Sequence, residues 1–123
     1  MTAKDKGILK MKKFEIIIPH RRLDDVSQIL KGINVGGMSH YEIEGRGKVK
    51  AEPVAIGRGT AQYTPEFIPR VKVEVIVRDD QVEGLINELT GKLGGDVRGG
   101  KIFVADVQIA VDLSSKQRGE SAI

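Results

Sequence analysis

The chain has 123 residues, a formal net charge of +3, and 40% apolar and 30% charged residues. These values are typical of one soluble globular domain and argue against a disordered chain. The absence of cysteine excludes disulfides and thiolate metal sites. No apolar run reaches the ~20 residues of a membrane span, and the charged start has no apolar core of a secretory signal. We therefore expect a cytoplasmic protein whose mild positive charge favours anionic ligands.

Residues 1–10 show no period and are expected to form a flexible extension before a single domain, residues 11–123. In that domain a strand, Phe14–Ile18 or Val71–Val75, is followed each time by apolar residues at the spacing i, i+3, i+4, i+7, which predicts an amphipathic helix. Each helix starts near an Asp pair, which suits an N-cap and the helix dipole. The helical positions are Val26, Ile29, Leu30 and Ile33, then Val82, Leu85, Ile86 and Leu89.

A second strand follows each helix, predicted at Met38–Glu44 and at Lys101–Leu113. The order β-α-β, long loop, β-α-β predicts an α+β, ferredoxin-like βαββαβ fold. Two helices can cover only one face of a four-stranded sheet. Because Ile- and Val-rich strands are poorly suited to water, we expect self-association to cover the other face.

The connection between Gly45 and Ile68 is too long for a simple hairpin. Loops of this length in a compact domain are usually functional. Glycines make it pliable, and its charge is basic, with Arg46, Lys48, Lys50 and Arg58 against Glu52 and Glu66.

A glycine-rich stretch follows the second helix and contains G-x-x-x-x-G-K, ending at Lys101. A Walker A loop lies between a strand and a helix and has Ser or Thr after the Lys. Here a helix precedes, a strand follows, and Ile102 replaces the hydroxyl residue, so this interpretation fails. Two alternatives stay open. The backbone N–H groups form an anion cradle with charge from Lys92, Arg98 and Lys101, or the stretch is a turn with solvated lysines.

Other chemistry is weakly indicated. The sequence K-I-F-V-A-D-V is similar to an RNA-recognition motif, but the strand Val71–Val77 has no stacking aromatic residue, so no nucleic-acid partner is predicted. His20 and His40 have no identifiable partners for a metal. Ser114 and Ser115 have no nearby base, so no catalytic residue is predicted.

Residues 11–123 resemble the PII signal-transduction proteins, with a divergent or archaeal-type member as one option. The resemblance is carried by "MKKFEIII", "RRLDDV", "GGMSHYEIEGRGK", "FIPRVKVEV", "TGK" with "GGKIFV", and "RGE". It implies a homotrimer that binds ATP, with Mg²⁺, or ADP in clefts between subunits. It also implies a T-loop at about 46–66, a B-loop at about 90–101 and a C-loop at about 113–123. Through the T-loop such a protein would control an ammonium transporter or a nitrogen-metabolism enzyme. It would meet a membrane only indirectly, through the transporter.

The resemblance also implies roles for individual residues. Gly37 and Ser39 would meet the adenine, and Lys48 and Arg118 would contact phosphate. Tyr63 matches a tyrosine that some members uridylylate, although an unmodified tyrosine is the favoured interpretation. The backbone of one strand would border the adenine and the B-loop would cradle the phosphates: these residues are Glu74, Val75 and Ile76, and Thr90, Gly91, Gly99, Gly100 and Lys101.

Several positions depart from the family pattern. Val49 replaces a Gln that helps to bind Mg²⁺ and 2-oxoglutarate, and it offers no polar side-chain atom. Arg70 replaces a Lys that pairs with 2-oxoglutarate, which keeps the charge but changes the geometry. The B-loop is longer, with Val97 and Arg98 inside it, and Asp112 and Ser114 stand where Arg is common. The alternative is therefore a PII-like sensor of a different small metabolite or nucleotide; slow nucleotide hydrolysis is also left open.

Overall fold

The structure is a computed structural model that describes residues 10–48, 52–57, 61–95 and 97–123. The main elements are strands β1 to β6 and helices α1 and α2. In chain order they are β1 (Met11–Ile18), α1 (Leu23–Gly32), β2 (Ser39–Gly45), β3 (Val54–Ala55), β4 (Gln62–Tyr63), β5 (Ile68–Arg78), α2 (Val82–Leu93) and β6 (Lys101–Val107). Short 3₁₀ turns occupy His20–Arg22, Asp79–Gln81 and Gly119–Ala122.

Four strands form one antiparallel sheet in the order β2-β5-β1-β6. The first strands of the two halves, β1 and β5, lie side by side at its centre, with Phe14 opposite Val75. This order and the two helices confirm the α+β, ferredoxin-like βαββαβ prediction. The long connection between β2 and β5 is also confirmed, but it carries a two-residue ladder that was not predicted, with Val54 opposite Tyr63.

The core lies between the sheet and the two helices. Alternate residues of β5 are almost completely buried at Val71, Val73, Val75 and Val77, as the two-residue period of a strand requires. The predicted helical stripes meet them. Val26, Ile29, Leu30, Leu85 and Leu89 are buried, and Ile33, Val82 and Ile86 pack against the same cluster.

The predicted Asp N-caps are wrong. Helix α1 starts at Leu23 with Arg22 in the cap position, so Asp24 and Asp25 lie in its first turn. Asp79 and Asp80 lie in the 3₁₀ turn before α2. No side-chain hydrogen bond caps either helix. In both halves a tight turn continues directly into the helix, and the carboxylates favour the helix through its dipole.

The chain ends also differ from prediction. The last strand stops at Val107 instead of Leu113, because the chain then turns so that Val111 bridges to Arg118. Of residues 1–10, the expected flexible extension, only Lys10 lies within the described part, and its carbonyl accepts a hydrogen bond from Asp79 N at 2.7 Å.

The open face of the sheet is less apolar than the strand composition suggests. Lys13 Nζ lies 3.3 Å from Glu74 and 3.5 Å from Glu15, and Lys72 lies 3.9 Å from Glu15. Tyr41 donates a hydrogen bond to Glu74 at 3.1 Å. The hydrogen bond from Lys13, followed by that from Tyr41, lowers the pKa of Glu74. Charged cross-strand pairs therefore occupy the face that the helices leave uncovered.

Candidate functional site

A first cleft of about 730 Å³ opens where β1 and β2 begin and β5 ends. The α1–β2 connection forms one wall and the end of β5 forms another. It brings together five of the predicted nucleotide residues: Gly37, Ser39, Glu74, Val75 and Ile76. The residues proposed for the adenine therefore share one cavity.

Sequence reasoning missed several residues of this first cleft. Asn34, at a φ of +65°, precedes Gly36 and helps to turn the chain out of α1. Gln81 accepts a hydrogen bond from Arg78 N at 3.0 Å and donates one to Ile33 O at 3.3 Å. The remaining lining residues are Lys13, Val35, Met38, Val107, Glu120 and Ile123. Asn34, two residues before the pair Gly36-Gly37, was a turn signal that the sequence offered. No sequence signal indicated that the C-terminal tail returns to this cleft.

The tail reaches the first cleft because a tight turn reverses the chain after β6. Asp112 Oδ1 accepts hydrogen bonds from the N–H groups of Ser114 and Ser115, each at 2.9 Å. Asp112 N donates to Gln117 O at 2.9 Å, and Gly119 N donates to Ala110 O at 2.9 Å. The C-loop thus carries a structural carboxylate at Asp112, and it leaves the predicted Arg118 exposed.

Stability should fall in acid through this carboxylate. The backbone N–H groups of Ser115 and Ser114 hold the pKa of Asp112 below its ordinary value of 3.8. A lowered folded pKa stabilises the protein above the unfolded pKa, and this contribution is lost as the pH falls through the folded pKa. Asp112→Asn keeps an acceptor but cannot titrate. We expect the unfolding free energies of wild type and variant, measured in urea at fixed protein concentration, to converge below about pH 4. A difference that stays constant down to about pH 2 would contradict this role.

A second cleft of about 280 Å³ lies towards the other end of β1, beside the end of α2. Its mostly apolar walls come from Ile16–Ile18, Leu89, Leu93 and Val97, and three predicted residues line it: Thr90, Gly100 and Lys101. The Thr90 hydroxyl donates to Ile86 O at 2.9 Å inside α2. Gly91 lies in the last turn of α2, while Gly99 sits beside Gly100 in the loop. The Gly100 N–H donates to Val97 O at 3.3 Å, so the Gly99 N–H and the Lys101 ammonium are the donors to consider for an anion here.

Gly100 has no room for a side chain. A Cβ at this position would lie 2.6 Å from Val97 Cγ1 and 3.3 Å from Ile17 O. Gly100→Ala should lower the free energy of unfolding by about 1–3 kcal/mol in urea denaturation, because the loop must move away from β1. Gly91→Ala is the matched control. It meets nothing within 4 Å, and alanine inside a helix should raise stability by up to about 1 kcal/mol. Equal effects of the two changes would refute the steric explanation.

The base of the long loop adjoins the second cleft. Arg70, near the start of β5, donates through Nη2 to the Arg98 carbonyl oxygen at 2.8 Å. Arg46 pairs with Glu66 across the loop base. Lys48 is exposed beyond β2, and Tyr63 is 55% exposed on β4. Val49 lies outside the described residues. Of the two predicted effector positions, only Arg70 lies within the described residues, and its guanidinium is hydrogen-bonded to the B-loop.

Residues 11–117 match the model of the family described as nitrogen regulatory protein P-II. The chain belongs to the P-II family. It is 38% identical over 118 residues to the nitrogen regulatory protein P-II of Pasteurella multocida, and 36% identical over 118 residues to P-II 1 of Escherichia coli strain K12. Each alignment covers 92% of this chain and the whole of the relative.

Solved P-II structures share the fold. Arabidopsis thaliana PII bound to citrate superposes with a TM-score of 0.73 at 28% identity, covering 99% of this chain and all of that one. The B. subtilis GlnK-ATP complex gives a TM-score of 0.72 at 21% identity, covering 93% and 98%.

Membership makes this chain a regulatory signal transducer and not an enzyme, which confirms the prediction that it has no catalytic role. Within the described ranges no helix is long and apolar enough to cross a membrane.

Proposed function

We propose that this P-II protein is a cytoplasmic homotrimer that binds ATP or ADP in clefts between subunits and controls a nitrogen-metabolism transporter or enzyme through its long loop. The GlnK neighbour solved with ATP supports the choice of ligand. Donors of this chain also support a phosphate site, because the Gly99 N–H and the Lys101 ammonium suit phosphate oxygens. Mg²⁺ would then be held mainly by the ATP phosphates.

One observation supports a nucleotide site that is shared between two subunits. The residues predicted for the adenine line the first cleft. Three of those predicted for the phosphates, Thr90, Gly100 and Lys101, line the second cleft, and the two clefts have no lining residue in common. They lie towards opposite ends of β1, a strand of eight residues that is roughly 26 Å long. A nucleotide can meet both sets most simply where the first cleft of one subunit faces the second cleft of another.

Exposed apolar side chains support the assembly. Beyond β6, Ile109, Val111 and Leu113 are 57%, 51% and 92% exposed, and on the open face of the sheet Phe103 is 52% exposed. Exposed apolar side chains that cluster in this way are typical of protein–protein contacts, and these four lie close together in the sequence. The charged pairs of the open face would then lie at the centre of the trimer, and the tail of each subunit would lie against its neighbour, bringing Arg118 to the phosphates.

The test is isothermal titration calorimetry with ATP, ADP and AMP, combined with sedimentation to count subunits. We expect saturable binding of ATP and ADP to a trimer, with AMP weaker because it lacks the outer phosphates. A monomer, or no heat of binding at millimolar ATP and ADP, would refute the proposal.

A second candidate function is sensing of a small metabolite other than 2-oxoglutarate. The specific observation is the hydrogen bond from Arg70 to the B-loop. Arg70 stands at the position whose cation usually pairs with 2-oxoglutarate, and here that cation already has a partner. Val49, the second effector position, has no polar side-chain atom. Ordinary P-II behaviour requires ATP and 2-oxoglutarate to strengthen each other's binding. Titration of 2-oxoglutarate with Mg-ATP present decides, since mutual strengthening would exclude this candidate. Tyr63 is proposed to remain unmodified.

A further inference from the structure

The B-loop contains a tight turn whose form can be read from its backbone. Gly100 N donates to Val97 O at 3.3 Å, so Val97–Gly100 is a β-turn with Arg98 and Gly99 in its two central positions. Gly99 has a φ of +78°. Arg98 is not among the described residues with a positive φ. A positive φ at the third residue with a negative φ at the second is the type II form, whereas a type I turn has a negative φ at both. The two forms are exchanged by flipping the central peptide, which joins Arg98 to Gly99, and glycine accepts either form at little cost.

Both ends of this turn are fixed by packing. Val97 packs against the hydrophobic core, and Val97 and the Ile17 carbonyl leave no room for a Cβ at Gly100. Neither contact determines how the central peptide is oriented. The Arg98 carbonyl does determine it, and the Arg70 guanidinium holds this oxygen at 2.8 Å. Arg70 itself stands on β5 beside the buried Val71, so the donor is mounted on the sheet.

A planar trans peptide directs its carbonyl oxygen and its N–H to opposite sides. Holding the Arg98 oxygen towards Arg70 therefore turns the Gly99 N–H away from Arg70. We infer that Arg70 is a positioning residue that keeps the Val97–Gly100 turn in its type II form and so aims the Gly99 N–H at a phosphate oxygen of the bound nucleotide. The part that concerns phosphate rests on the proposed function.

Three variants separate the hydrogen bond from other effects. Arg70→Met keeps a long side chain but has no donor. Arg70→Lys keeps the charge and one donor that can reach the same carbonyl. Arg46→Met is the matched control, because it removes another cation from the loop base, one that pairs with Glu66 instead of the B-loop.

The first readout needs no nucleotide. In a type II turn the ψ of the second residue brings its Hα close to the next amide proton, whereas in a type I turn the two amide protons are close. NMR should show a strong Arg98 Hα–Gly99 HN cross-peak in wild type, Arg70→Lys and Arg46→Met. In Arg70→Met the amide–amide cross-peak between Arg98 and Gly99 should gain intensity at its expense. An unchanged pattern in Arg70→Met, or the same change in Arg46→Met or Arg70→Lys, would overturn the inference.

The second readout is ATP affinity by calorimetry. Arg70→Met removes the charge-assisted hydrogen bond that orients the B-loop, so ATP binding should weaken about tenfold. In Arg46→Met it should weaken by no more than about twofold. A changed turn with unchanged ATP affinity would overturn the role towards phosphate. If wild type bound no nucleotide at all, the proposed function would fail, while the NMR pattern would still decide whether Arg70 sets the turn.

Discussion

Leu85→Ala should lower the free energy of unfolding by about 2–5 kcal/mol. Leu85 is completely buried on α2 and belongs to the cluster that joins both helices to the sheet. Truncation removes apolar burial and leaves a cavity in a close-packed interior, so both costs apply. Urea unfolding at one fixed protein concentration measures the effect, since association would make apparent stability depend on concentration.

Asn87→Ala provides the control on the same helix. Its side chain is exposed two residues further along α2, and alanine is a better helix former than asparagine. We expect a change within about 0.5 kcal/mol. A loss in Asn87→Ala comparable to that in Leu85→Ala would mean that α2 tolerates no substitution, and the burial of Leu85 would not be the cause.

Lys101→Met should weaken ATP binding by about 10- to 100-fold. A hydrogen bond to a charged group contributes about 1.5–3 kcal/mol, which converts to a factor of this size. Lys101 lines the second cleft at the first position of β6, opposite Ile17, so the strand fixes its backbone. Methionine keeps most of the stem and removes the ammonium, and calorimetry with ATP gives the ratio of affinities.

Lys92→Met is the comparison for charge alone. Lys92 belongs to the same basic stretch, but its ammonium lies 3.3 Å from Glu88 and it does not line the second cleft. We expect ATP affinity to fall less than about threefold, because an exposed charge acts only through a screened field. Equal losses in the two variants would point to overall charge and against a phosphate contact at Lys101.

The apolar periods were sufficient to predict the sheet and the helices. A period of two placed Val71, Val73 and Val75 on the core face, and a period near 3.6 placed Val26 and Leu85 there. The Asp caps were mispredicted because a 3₁₀ turn and the first turn of a helix favour the same residues. Capping depends on backbone angles at one position, and a single sequence does not specify these angles.

The last strand shows a different limit of sequence patterns. Alternation continues through Ile109, Val111 and Leu113, yet β6 ends at Val107. A period of two reports which side chains share a face; it does not report whether a partner strand exists in the same chain. The first cleft shows the same limit. Lys13, Gln81 and Glu120 meet there from three separate segments, and no local spacing relates them.

β5 is a long, stiff connection between the base of the long loop and the first cleft. The strand has 11 residues and is roughly 36 Å long; it runs from Ile68 at the base of the long loop to Arg78 beside the first cleft. Its middle, Val71–Glu74, is paired with β1 on one side and β2 on the other, so it cannot bend without breaking several hydrogen bonds together. A stiff rod of this length acts as a lever: a tilt of about 5° at the cleft would move the loop base by roughly 3 Å. A tilt of β5 together with its paired strands would thus carry a displacement from the first cleft to the base of the long loop.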